Sequence, residues 1–338
     1  MSNRRTSNAV ASVWTRRLAI GLACATFPLI WVGGMVTTYD AGMAVPDWPS
    51  TYGYNLFLYP WSTWWSGPFD LFIEHGHRLL GAAVGMIAIA AAISAFVNHD
   101  SRLIKTCAIG CLIAVIAQGG LGGLRVVLND TTVARLHSCT GQLFFCGTVG
   151  LVAVTSNWWT ANPSREELVS RSPLTGLFGL TMCMMYLQFV LGSFVRHIDH
   201  STTPGQFQLI AYAHVLLAMA IVLRVTWVFL CGMKSTQAWA KYASSALLAL
   251  TLVQIGLGLA TWTVNYGWPT FLPEYAGFAG FLVRAQSLAK GIVVTGHVAT
   301  GSLLVATSFW SWLRSYHCVA DETSAISVSI KRSTGAVA

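Results

Sequence analysis

Residues 73–97 read IEHGHRLLGAAVGMIAIAAAISAFV, and beyond Arg78 this stretch contains no charged side chain. It is longer than the ~20 residues a helix needs to cross a bilayer. Seven further stretches of the same kind lie at 18–37, 103–127, 136–154, 174–195, 209–231, 243–264 and 291–313. Across all 338 residues 54% are hydrophobic and 9% charged, too few charges to coat a water-soluble protein of this size. The stretches lack the period-two alternation of a barrel strand, and only helices or closed barrels satisfy the backbone within lipid. The expected fold is all-α, an integral membrane bundle of eight helices.

Basic residues set the orientation. With the N-terminus inside, the inner segments carry Arg4, Arg5, Arg16, Arg17, Arg102, Lys105, Arg165, Arg171, Lys234, Lys241, Arg314, Lys331 and Arg332, with Arg224 near that end of the sixth span. The net charge of +8 follows from this topology and gives no support to nucleic-acid binding. Both termini are expected in the cytoplasm, and the first apolar run is expected to be an uncleaved anchor.

Gln118 with Gly122 four residues later recurs as Gln188 with Gly192 and Gln254 with Gly258, each on an odd-numbered span, with Gly33 and Gly34 as a weaker version on the first. A histidine-bearing span follows each. The organisation expected from this is an N-terminal tail (1–17), a four-helix half (18–157), an inner linker (158–173), a second four-helix half (174–313) and an inner tail (314–338). The glycines are expected to permit close helix approach. Of the eight cysteines, seven fall within or at the edges of spans and Cys318 lies in the inner tail, so packing is expected of them rather than disulfides. Cys107 and Cys111, one turn apart, are read the same way.

His77, His137, His214 and His297 each lie a few residues inside the same end of a different span. A lone histidine there is usually interfacial, but four at matched depth point to a layer of metal ligands. One turn further in, each is followed by a small residue: Gly81, Gly141, Ala218 and Gly301. Positions i and i+4 share a helix face, so a flat macrocycle bound to the imidazole would pass without meeting a side chain. Haem fits this better than zinc. Two facing histidines can hold one iron from both sides, and the chain offers two such pairs. Haem propionates need cations at the outer end, and the six cations expected there are Arg78, Arg125, Arg135, Arg196, Arg284 and Lys290. Glu74 shares a helix face with His77, whereas His75 points elsewhere. Paired with Arg78, Glu74 would be an ordinary helix-start carboxylate; beside a haem ligand it becomes a candidate base or charge stabiliser.

Glu74 through Arg78 resemble the E-x-x-H-R motif of the haem A synthase family. The first outer loop, with Gly33, Gly34, Thr37, Gly42, Met43, Asp47 and Trp48, is similar to that family's G-G-x-x-T, S/A-G-x-S/A and D-W pattern. The family's T-R-L-T is here Thr37, Thr38, Tyr39, Asp40, and the loop lacks the cysteine pair of some members, which marks a divergent branch. The resemblance implies oxidation of the C8 methyl of haem O in two stages to the formyl group of haem A, for terminal oxidase assembly. It implies His77 and His137 as ligands of the substrate haem, Glu74 as the catalytic carboxylate, and His214 and His297 as iron ligands of a haem b cofactor. It also implies residence in the cell inner membrane, with haem O synthase (protohaem farnesyltransferase) and an electron acceptor or donor as partners.

Two other classes share some of these features. A di-haem b-type cytochrome that only passes electrons needs the four histidines but not Glu74. A transporter built on two repeats would place its site near the midplane, whereas the histidines lie near the outer edge.

Overall fold

The computed structural model describes residues 11–160, 165–199, 201–268 and 287–334. Its helices are α1 (Val13–Thr38), α2 (Trp61–Ser66), α3 (Phe69–Val97), α4 (Arg102–Leu128), α5 (Thr131–Val154), α6 (Asn157–Thr160), α7 (Arg165–Arg196), α8 (Pro204–Met233), α9 (Ala238–Tyr266) and α10 (Leu288–Thr334). Eight of them are long and apolar enough to cross a membrane. Among the described residues there is no strand, and the one extended pairing is an isolated bridge between Thr51 and Tyr54.

Several helices begin about a turn before the apolar stretch that announces them, because hydropathy marks lipid depth while polar caps mark the helix start. Ser12 accepts from the Trp14 amide, Asp130 from Val133, and Thr203 forms a capping box with Gln206 ahead of Pro204. The expected linker is partly helical, since α7 starts at Arg165, and α10 continues through the expected tail to Thr334. Asn129 ends α4 in the left-handed conformation at φ 48°, allowing the chain to reverse into α5 within two residues.

In the first half α1 packs on α3, α3 on α4, α4 on α5 and α5 back on α1, closing a ring; α7, α8, α9 and α10 close a second ring in the same order. The rings meet through α1, α5, α7 and α10. Each has its own apolar centre, one around Leu22, Ile104 and Leu151, the other around Phe178, Val225 and Leu247. Outward, α8 exposes Leu209, Leu216 and Leu223 at 70%, 65% and 75%, an apolar face that only lipid would leave stable. Arg224, inside that span, is satisfied by the Leu177 carbonyl at 2.9 Å and Thr181 at 3.4 Å. The seven described cysteines are free, with Cys111 and Cys146 buried in the two apolar centres.

Candidate functional site

All four histidines lie within the first three turns of α3, α5, α8 and α10, at one end of the bundle. The structure adds a feature that spacing alone concealed: each ring rests on a glycine of the preceding spanning helix. A Cβ at Gly33 would stand 2.8 Å from Cε1 of His77, at Gly122 3.2 Å from His137, at Gly192 3.1 Å from His214 and at Gly258 3.1 Å from His297. These glycines therefore seat imidazoles, beyond the close helix approach expected of them. Each ring also faces the backbone carbonyl four residues before its glycine, that of Leu29, Gln118, Gln188 or Gln254. At three of them no full bond forms, and Nδ1 of His77, His214 and His297 is buried without a hydrogen-bond partner. A metal-ligating histidine commonly turns one ring nitrogen to a backbone carbonyl and leaves the other for the metal.

His214 and His297 face each other with ring centroids 6.4 Å apart. Metal–imidazole bonds of about 2 Å, added to roughly 1 Å from each nitrogen to its ring centre, put two axial ligands about 6 Å apart, so the pair fits one iron held from both sides. Among the described residues no three His, Cys, Asp or Glu side chains converge as a zinc cage requires. In the first ring His77 and His137 are within electrostatic reach of one another, and Arg125 acts on both and on Glu74.

Glu74 is 4% exposed and accepts from Arg78 Nε at 3.2 Å. Arg78 is otherwise committed to the first outer loop. It donates to the carbonyls of Asp47 and Ser50 at 2.7 and 2.8 Å and to that of Val45 at 2.7 Å, so it clasps the loop rather than facing a ligand. His75 turns away from His77 as expected, donating to or accepting from Thr51 at 3.0 Å between the rings of Tyr59 and Trp64. The loop in turn roofs the first ring: the Trp48 indole lies where a side chain on Gly123 would stand, and Arg125 lies against Gly42.

The other cations divide by partner. Arg135 donates to the His197 carbonyl at 2.8 Å and Arg196 to Thr38 at 2.7 Å, both joining the two rings. Arg125 makes no hydrogen bond to a described residue, and its guanidinium lies against Gly42 within electrostatic reach of Glu74, His77 and His137. Lys290 stands in the first turn of α10, and Arg284 lies outside the described residues. The small residues after the histidines also divide. Nothing lies within 4 Å of a Cβ at Gly81, whereas Gly141 and Gly301 accommodate Gln118 and Gln254 at 3.4 and 3.2 Å. At those two positions the lack of a side chain makes room for a neighbouring amide, and the macrocycle argument rests on Gly81.

Asp47 organises the loop. Burial alone would raise its pKa, but the amides of Gly53 and Tyr52 and the Ser50 hydroxyl outweigh this and hold the carboxyl below its ordinary value of 3.8. A depressed carboxylate contributes order above its unfolded pKa and loses it as the pH falls through the folded one. Tryptophan fluorescence from the loop is expected to be flat down to about pH 4 and to change below it; Asp47→Asn should remove the transition, and a transition near neutrality would contradict the assignment.

The chain matches the COX15-CtaA family, described as cytochrome oxidase assembly protein, over residues 16–210. It belongs to that family. The COX15-CtaA match includes Glu74, His77, His137 and the loop that roofs them, and it ends just before His214. A protein named Heme A synthase from Exiguobacterium sp. is 23% identical over 261 residues, covering 73% of this chain and 82% of that protein. Another of that name, from Symbiobacterium thermophilum, is 28% identical over 225 residues, covering 59% and 70%. A third, from Exiguobacterium sibiricum, is 29% identical over 191 residues, covering 54% and 60%.

Proposed function

We propose that this chain is a haem A synthase, a membrane oxidoreductase that converts the C8 methyl of haem O to a formyl group for cytochrome oxidase assembly. The observation that carries this reading is the buried Glu74 one turn from His77 and within electrostatic reach of Arg125, in a family whose relatives bear that name. In the first ring His77 and His137 would hold the substrate iron and Arg125 would take a propionate. With the propionates held at the roof, Glu74 would be the carboxylate available to take a proton or stabilise charge at the reacting methyl. The loop clasped by Arg78 and Asp47 would keep water from the reacting edge.

In the second ring His214 and His297 would hold haem b, which when bound supplies one-electron redox chemistry. The two rings are read as a duplicated four-helix unit, one half serving the substrate and the other the cofactor. The distribution of basic residues supports both termini in the cytoplasm and the haem layer near the outer face, and the family resemblance supports the cell inner membrane. Haem O synthase would supply the substrate, and a separate redox partner would exchange electrons.

Haem content of single variants tests this. His214→Ala and His297→Ala are expected to lose most haem b or shift it to high spin, with haem O binding retained. His137→Ala is expected to lose haem O and keep haem b. A purified protein carrying metal but no haem would contradict the reading.

A further inference from the structure

Three of the four histidines have a glutamine at the matched place on the preceding spanning helix, and the fourth has a leucine. With its amide oriented so that each group meets a partner of opposite kind, Gln118 donates to the His137 carbonyl at 3.1 Å and faces its ring Nδ1 at 3.1 Å. Its own carbonyl then accepts from Thr140 and the Gly141 amide. Gln188 repeats the main-chain half of this, donating to the His214 carbonyl at 2.9 Å, while at the ring its amide stands 3.2 Å from Nε2 rather than Nδ1, a place it must yield when that nitrogen takes iron. Gln254 packs on Gly301, one turn below His297. At the fourth station the residue four before Gly33 is Leu29, which has no side-chain donor or acceptor. Moreover, the space that Gln118 and Gln254 occupy beside Gly141 and Gly301 has no neighbour within 4 Å beside Gly81.

Amides that grip both the main chain and the ring of a ligand fix its orientation, and loss of such outer contacts typically weakens metal affinity 10–100-fold. His137, His214 and His297 each have a glutamine beside them; His77 has only the seat at Gly33 and the Leu29 carbonyl, with no side-chain amide beside Gly81 to hold its ring. We propose that His77 is the exchangeable ligand of the substrate haem, and that Leu29 is the positioning residue that leaves it so. The coordination position opened to a small ligand is then the one on the Glu74 side. The cofactor haem, with Gln188 bonded to the main chain of one ligand and Gln254 packed one turn below the other, stays closed. This rests on the haem reading above.

Carbon monoxide binding to the reduced, full-length protein loaded with haem O tests the proposal without reference to turnover. Wild type is expected to bind carbon monoxide at one of its two haems. Leu29→Gln is expected to keep both haems and the low-spin spectrum but to bind carbon monoxide at least tenfold more weakly. His77→Ala should retain haem O on His137 and bind carbon monoxide freely. If Leu29→Gln does not accumulate, Gln118→Leu provides the converse test and should strengthen carbon monoxide binding by a similar factor. Equal carbon monoxide affinity in wild type and these variants, or retention of haem O by His137→Ala with its loss in His77→Ala, would overturn the proposal. Absence of haem would overturn the functional reading itself, so the two failures are distinguishable.

Discussion

Glu74→Gln is expected to leave both haem spectra intact and to lower turnover of haem O by about 10²-fold or more, the loss typical of a removed acid–base or charge-stabilising group. The amide can still accept the bond that Arg78 Nε now makes at 3.2 Å, and Arg78 keeps its three loop carbonyls, so the roof should stay in place. That makes Gln a cleaner probe than Ala. Arg78→Ala differs in kind: it strands the carbonyls of buried Val45 and half-buried Asp47 and Ser50, at up to roughly 1–3 kcal/mol for a group left unpaired away from water. It should therefore reduce stability along with activity. Normal haem A formation by Glu74→Gln would assign Glu74 to the ion pair alone.

Gly258→Leu is expected to abolish haem b binding almost completely while leaving the substrate site. A Cβ there already stands 3.1 Å from His297, and the branched chain must displace the imidazole itself. Gly122→Leu is the mirror experiment: it should unseat His137, remove haem O binding and spare haem b. Overpacking a bundle costs ~1–3 kcal/mol, so thermal stability must be matched before haem content is compared. Equal loss of both haems in each variant would mean that the two rings do not act as separate sites.

Much of this was legible before any coordinates. Hydropathy sets the eight spans, and the helices start about a turn earlier at Val13, Thr131 and Pro204, where capping residues lie outside the lipid-matched stretch. The matched depth of His77, His137, His214 and His297 was visible because depth along a helix is a one-dimensional quantity. What each ring rests on was not, since it depends on which helices are neighbours and how they are rotated. The recurrence of Gln118–Gly122, Gln188–Gly192 and Gln254–Gly258 is the signal the sequence offers, and helix packing accounts for it as readily as imidazole seats do. Likewise Arg78 and Arg125 are equivalent as sequence, two cations at the outer end. Only the fold shows one spent on loop carbonyls and the other left facing the histidines.

On the proposed function, one ring of helices holds a resident haem while the other oxidises a second. This is tested most directly by supplying purified protein and a redox partner with haem O, then extracting and separating the pigments over time. The account predicts a constant amount of haem b, with haem O declining as haem A rises. Haem b with unchanged haem O in a preparation that binds both would contradict it and favour a di-haem electron carrier.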